Sequence, residues 1–147
     1  MQSFKLLRPL EARVMEMMLA GDHPVLNVLR DQLDASHVLE RTYTGVGFFT
    51  KFYVPPEMPR IKAGRVVIDD VRGEIRDYYG PGRSWVCHFL LFVEGGVIDT
   101  LEGATPDDEW TNDESLIGLS YCTEAPATGS KQNRRDWRRL FRLLEDP

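Results

Sequence analysis

Little in this chain points to a named chemistry. Cysteine occurs only twice, as Cys87 and Cys122, and histidine three times, as His23, His37 and His88. Two cysteines inside apolar runs allow one disulfide or two buried free thiols, the blander reading, and exclude a disulfide scaffold. The histidines show no HxxxH or HxxE spacing. Cys87 and His88 are adjacent, so on a strand they point to opposite faces and do not grip one metal together. No metal or cofactor is expected, although a site assembled from distant residues stays open. No apolar stretch reaches spanning length free of charge or glycine. The segment Met1–Met18 carries Lys5, Arg8, Glu11, Arg13 and Glu16, unlike a leader or an anchor. The expectation is a cytoplasmic protein with no membrane contact.

Two further templates fail on single positions. Gly45-Val46-Gly47 begins like a dinucleotide fingerprint, but Thr50 stands where the third glycine belongs, and strand rather than helix follows. Glycines easing a bend in a sheet explain the pattern. Gly118-Leu119-Ser120-Tyr121-Cys122 is one residue short of a nucleophile elbow, and no histidine follows it in the chain. Ser120 reads as an ordinary strand serine.

What the chain does hold is enough for one core. It has 147 residues, 42% of them hydrophobic and 28% charged, which suits a single domain. Net charge is −5 but uneven. Residues 131–147 contain Lys131, Arg134, Arg135, Arg138, Arg139 and Arg142 against Asp136, Glu145 and Asp146, so an acidic body carries a basic tail.

The hydrophobic period changes along the chain. Leu10, Val14, Met17 and Met18 repeat at helical spacing after Pro9 and stop at Ala20-Gly21. Asp22 or His23 caps a second helix with Pro24 in its first turn and Val25, Leu26, Leu29 and Leu33 as its stripe. From Val38 the period is two. Strands are expected over 38–43 and 48–54, then over 65–75 with an interruption at Asp69-Asp70 and Gly73, and finally over 116–123. The run Trp85–Gly103, broken by Gly95-Gly96, reads as the central hairpin. Trp137, Leu140, Phe141 and Leu144 mark a final amphipathic helix. Helices first, strands next and a helix last argue α+β. The expected architecture is an N-terminal helical hairpin packed on an antiparallel meander sheet of five to six strands, with a C-terminal amphipathic helix. Residues 1–123 form the domain. Residues 124–147 form a linker and a basic helix that docks on the body or on a second copy.

The candidate site residues follow from the hairpin and the tail. If Gly95-Gly96 is a two-residue loop, Val93 pairs with Ile98, Leu91 with Thr100 and Phe89 with Glu102, and Asp99 lies on the opposite face; a three-residue loop swaps the faces. Either acid beside buried surface is a candidate general acid or base, with His88 the nearest histidine; an edge strand carrying both acids into solvent is the plainer alternative. Tyr53 and Trp110 are candidate ligand contacts. Asp107, Asp108, Glu109, Asp113 and Glu114 surround Trp110 as a solvated loop or as a rim for a basic partner. Arg134, Arg135, Arg138, Arg139, Arg142 and Trp137 form the candidate interaction surface of the tail.

Leu19-Ala-Gly-Asp-His-Pro-Val-Leu26, Tyr43-Thr-Gly-Val-Gly-Phe-Phe-Thr-Lys-Phe52 and Phe89-Leu-Leu-Phe-Val-Glu-Gly-Gly-Val-Ile-Asp-Thr-Leu-Glu-Gly-Ala-Thr105 together resemble a set of small uncharacterised bacterial proteins. The likeness covers residues 10–121, implies no activity and transfers no catalytic residue; the basic tail departs from it. The resulting expectation is a non-enzymatic interaction module, meeting a protein partner or a second copy. A small-molecule binder or enzyme using Glu102, Asp99 and His88 at the sheet is the first alternative, and nucleic-acid binding through the tail is the second.

Overall fold

A computed structural model describes residues 6–106, 108–122 and 135–145. Two helices open the chain, α1 (Pro9–Met18) and α2 (Pro24–Ala35), each with proline in its first turn, where the missing N–H is not needed. His23 caps α2: its Nδ1 accepts from the Val25 amide at 3.1 Å. Strands β1 (His37–Tyr43), β2 (Gly47–Tyr53), β3 (Arg65–Ile75), β4 (Trp85–Glu94), β5 (Val97–Ala104) and β6 (Gly118–Tyr121) follow, and α3 (Trp137–Glu145) comes last. The last strand begins later than the apolar run suggests, because Glu114–Leu116 winds into a 3-10 turn capped by Asp113.

The six strands make one antiparallel sheet in the order β1-β2-β5-β4-β3-β6. The fold is α+β, as the element pattern implies. All three helices share one core with the inward side of the sheet. Leu10, Val14, Met15 and Met18 of α1, Leu26 and Leu29 of α2, and Leu140 and Leu144 of α3 meet Phe48, Phe89, Leu91, Val93 and Leu101. Trp110 closes one end of that core, its ring 5.1 Å from Trp85 and 5.4 Å from Phe48. Among the described residues the opposite face of the sheet carries no helix.

The central hairpin turns on two residues, with Glu94 paired to Val97 and Val93 to Ile98. Gly95 and Gly96 hold φ of 59° and 81°, the left-handed pair that a two-residue hairpin turn requires. Beyond that point the expected register is corrected. Phe92 pairs with Thr100, Leu91 with Leu101 and Phe89 with Gly103, because Asp99 is extruded as a β-bulge. The cause is in the sequence: Ile98 and Leu101 are three apart, and a regular strand sends such residues to opposite faces. The bulge turns both inward. Bulges at Leu39 in β1 and at Asp69-Asp70 in β3 likewise re-phase their strands; the second brings both Ile68 and Val71 inside.

Candidate functional site

The re-phased hairpin decides where the candidate acids lie. Glu102 is opposite Leu90 on β4 and Phe49 on β2, on the helix-free face and half-buried. His88 shares that face, opposite Ala104 and Arg72, and is exposed. Asp99 sits in the bulge, where its Oδ2 accepts the Thr100 hydroxyl at 2.7 Å. Among the described residues no hydrogen bond joins Glu102, His88 and Asp99. They stand as separate polar groups at strand spacing.

Around these groups the helix-free face is unusually apolar for the solvent side of an antiparallel sheet, which is normally polar. One row across the strands reads Lys51, Thr100, Phe92, Val67; the next reads Phe49, Glu102, Leu90; a third reads Ala104, His88, Arg72, Ser120. Phe49 is 40% exposed, while Leu90, Phe92 and Val67 are half-buried by their neighbours alone. Leu90, Phe92 and Val67 thus form an aliphatic and aromatic patch on β4 and β3; Thr100 and Glu102 of β5 separate it from Phe49 on β2, and His88 and Arg72 border it.

The two aromatic candidates separate. Tyr53 lies on the helix-free side, 41% exposed, its ring 4.9 Å from His37. It stands four residues along β2 from Phe49, about 13 Å at strand rise. Trp110 is on the helix side and donates its indole N–H to Glu114 at 2.9 Å. Tyr53 and His37 instead line a groove of about 880 Å³ with Leu7, Leu33, Val38 and Phe52. Glu102, Asp99 and His88 are not among the groove's lining residues.

A charged cluster that the sequence reading did not single out lies beneath α1. Glu11 is fully buried. It accepts from the Arg8 amide at 2.7 Å, from Arg8 Nη1 at 3.0 Å, from Arg41 Nε and Nη2 at 3.0 and 2.7 Å, and from the Thr50 hydroxyl. Burial on its own raises the Glu11 pKa; the donors Arg41, Thr50 and Arg8 outweigh it and hold the carboxyl below its usual range. Arg8 also grips Glu114 through Nε and Nη2, both at 2.9 Å. The chain Arg41–Glu11–Arg8–Glu114–Trp110 therefore ties β1, α1 and the acidic loop together. One signal was available: Glu11, Met15 and Met18 recur at helical spacing, which puts a carboxylate on the buried stripe.

The chain matches no protein family, no curated protein and no solved structure.

The tail residues are used in several ways. Arg134 lies outside the described residues, as does Asp107 of the acidic loop. Arg135 is 3% exposed and forked onto Asp70 at 2.6 and 3.1 Å, while also donating to the carbonyls of Ala20 and Met18 at 2.8 and 2.6 Å. It closes the C-terminal end of α1 and is not presented to a partner. Arg139 meets Asp69 at 2.9 Å. Trp137 packs over Gly21, where an added Cβ would come within 2.4 Å of its ring, and Glu145 reaches His23 Nε2 at 2.9 Å. Arg138 and Arg142 are exposed. Both cysteines are free thiols; Cys87 is buried and Cys122 half-buried.

Among the described residues no helix is long and apolar enough to cross a membrane, and no group of three potential metal ligands occurs.

Proposed function

We propose that the protein is a non-enzymatic interaction module that binds a protein partner through the helix-free face of its sheet. The observation that carries this reading is the patch of Leu90, Phe92 and Val67, with Phe49 beyond Thr100 and Glu102, on a face that no helix covers among the described residues. The core needs none of these side chains, since Phe89, Leu91 and Val93 already fill the other side. An apolar band rimmed by charge is the usual composition of a partner surface. The tail contributes less to this reading: Arg135 and Arg139 answer Asp70 and Asp69 of the same chain, so the basic helix spends much of its charge internally.

Site-specific photo-crosslinking in the native cell tests it. A photoreactive residue at Leu90 or Phe92 is expected to give discrete adducts with a partner protein, and one at Asp31 on α2 or at Arg138 on α3 is not. Adducts confined to Asp31 and Arg138, or none from the sheet positions, overturn the reading.

A second reading rests on the groove beside Tyr53. Its volume lies within the usual range of ligand sites, and its lining is chiefly aliphatic and aromatic. It fits a small apolar molecule. Titration with octanoate or decanoate should then move the NMR signals of Leu7, Leu33 and Tyr53; unmoved signals at millimolar ligand dispose of it.

A further inference from the structure

Among the described residues, Arg72 is a guanidinium on the helix-free face whose position no ion pair or hydrogen bond explains. It is half-buried, and its Nε is shut away from solvent without a hydrogen-bond partner. Among the described residues it forms no ion pair or hydrogen bond. A buried donor left unmade is costly, so such a group invites an explanation. Its neighbours supply one. Register places His88 directly opposite Arg72 on β4 and Ser120 directly opposite it on β6. Opposed residues on one face stand about 5 Å apart between Cβ atoms. The three side chains therefore form a continuous row of donors: hydroxyl, guanidinium, imidazole.

The imidazole offers an N–H in either protonation state, and the hydroxyl turns freely. No hydrogen bond or ion pair holds the guanidinium among the described residues, and with Nε closed to solvent its terminal nitrogens are the ones an incoming acceptor meets. Two carboxylates stand near the row and leave it uncompensated. Glu74, two residues along β3, has Arg76 within 3.6 Å. Glu102 is diagonal to His88 across β4 and β5, roughly 7 Å away at sheet spacing. The apolar band begins beside the row at Leu90 and continues to Phe92 and Val67.

We infer that Ser120, Arg72 and His88 form an oxyanion-recognition site at the edge of the apolar band, built to take a carboxylate or phosphate carried by the protein partner. This rests on the reading of the helix-free face as the binding surface, and it adds the chemistry of what binds there. A forked guanidinium flanked by two further donors matches the oxygens of such a group. The cationic end of the face also opposes the chain's net charge of −5, so an acidic group has a local reason to bind where the whole molecule repels it.

The test is an NMR titration of the full-length chain with inorganic phosphate and, separately, with acetate, each against sodium chloride at equal ionic strength. Saturable shifts are expected at Arg72, His88 and Ser120. They should weaken at least about tenfold in Arg72→Gln, a change of about 1.4 kcal/mol, and weaken less in Ser120→Ala. The anion that saturates at lower concentration identifies the group. If Arg72→Gln does not fold, the exposed His88→Ala takes its place, and loss of the shifts is again expected. Shifts reproduced by chloride, shifts of equal size at Arg138 and Arg142, or shifts unchanged in the variants overturn the site. Its failure and that of the module reading are separable. Leu90 crosslinks that persist at full yield in Arg72→Gln reject the anion site while keeping the module; saturable anion binding without crosslinks does the reverse.

Discussion

Glu11 shows what one charged residue does when it is fully buried beneath a helix. A fully buried carboxylate is tolerable only because Arg41, Arg8, Thr50 and a backbone amide all donate to it. Removing its charge leaves Arg41 without that partner, and breaking a buried pair typically costs about 3–5 kcal/mol. Glu11→Gln should lower stability toward that range in urea unfolding at pH 7. The pH dependence follows from the direction of the shift. The folded-state pKa lies below the ordinary value of 4.5, so this stabilisation is present in full above about pH 5. It fades as pH falls through the lowered folded-state value. In Glu11→Gln the acid slope over that window should flatten; an unchanged slope would mean the network does not govern acid stability. Cys87 gives a second check at this scale. Burial pushes its thiol up to about 12, so at pH 8 only about one in ten thousand molecules holds the thiolate. Iodoacetamide should reach the half-buried Cys122 first, and rapid alkylation of Cys87 in the folded protein would contradict its place in the core.

At the scale of elements, periodicity carried most of the legible content. Proline positions, the change from helical to alternating spacing and Gly95-Gly96 placed the helices and the central hairpin within a few residues. What periodicity did not deliver was register. Asp99, Leu39 and Asp69-Asp70 are bulges, and each shifts the phase of everything beyond it. The hint was present as odd spacings, Ile98 to Leu101 and Ile68 to Val71, but an odd spacing reads equally as the end of a strand. Glu102 therefore moved from opposite Phe89 to opposite Leu90, and with it the face to which the candidate acid belongs. The attachment of α3 was still less legible, since nothing in Arg135 marks it as different from Arg138. Its partner Asp70 is 65 residues away in sequence and turns inward only because of a bulge. Arg135→Met should uncouple this element: Asp70 is left buried and unpaired, at a cost of at least about 3 kcal/mol. Hydrogen exchange should then show amides of α3 losing protection while β4 and β5 keep theirs. Equal loss throughout would show that α3 and the sheet unfold as one unit.

For the whole molecule the decisive property is that the sheet has two unequal faces, both partly apolar. The acidic body and basic tail were visible as charge counts, yet much of that asymmetry is satisfied within the chain by Asp70 with Arg135 and Asp69 with Arg139. The proposed binding surface therefore lies on the sheet rather than on the tail. Leu90, Leu91 and Phe92 make the distinction testable, being consecutive on one strand and alternating between the two sides. Leu91 is fully buried, and Leu91→Lys forces an unpaired charge into the core, so the protein should fail to fold. Leu90→Lys and Phe92→Lys place the ammonium in solvent on the helix-free side. Each should change stability by no more than about 1 kcal/mol while removing the partner adducts formed from neighbouring positions. If the outward substitutions unfold the protein as Leu91→Lys does, the band belongs to the core and the proposed surface does not exist. If they leave both stability and adducts unchanged, the face is solvent-facing but idle. Loss of adducts in a folded protein is the one outcome in which the same side chains are dispensable for the fold and required for the partner.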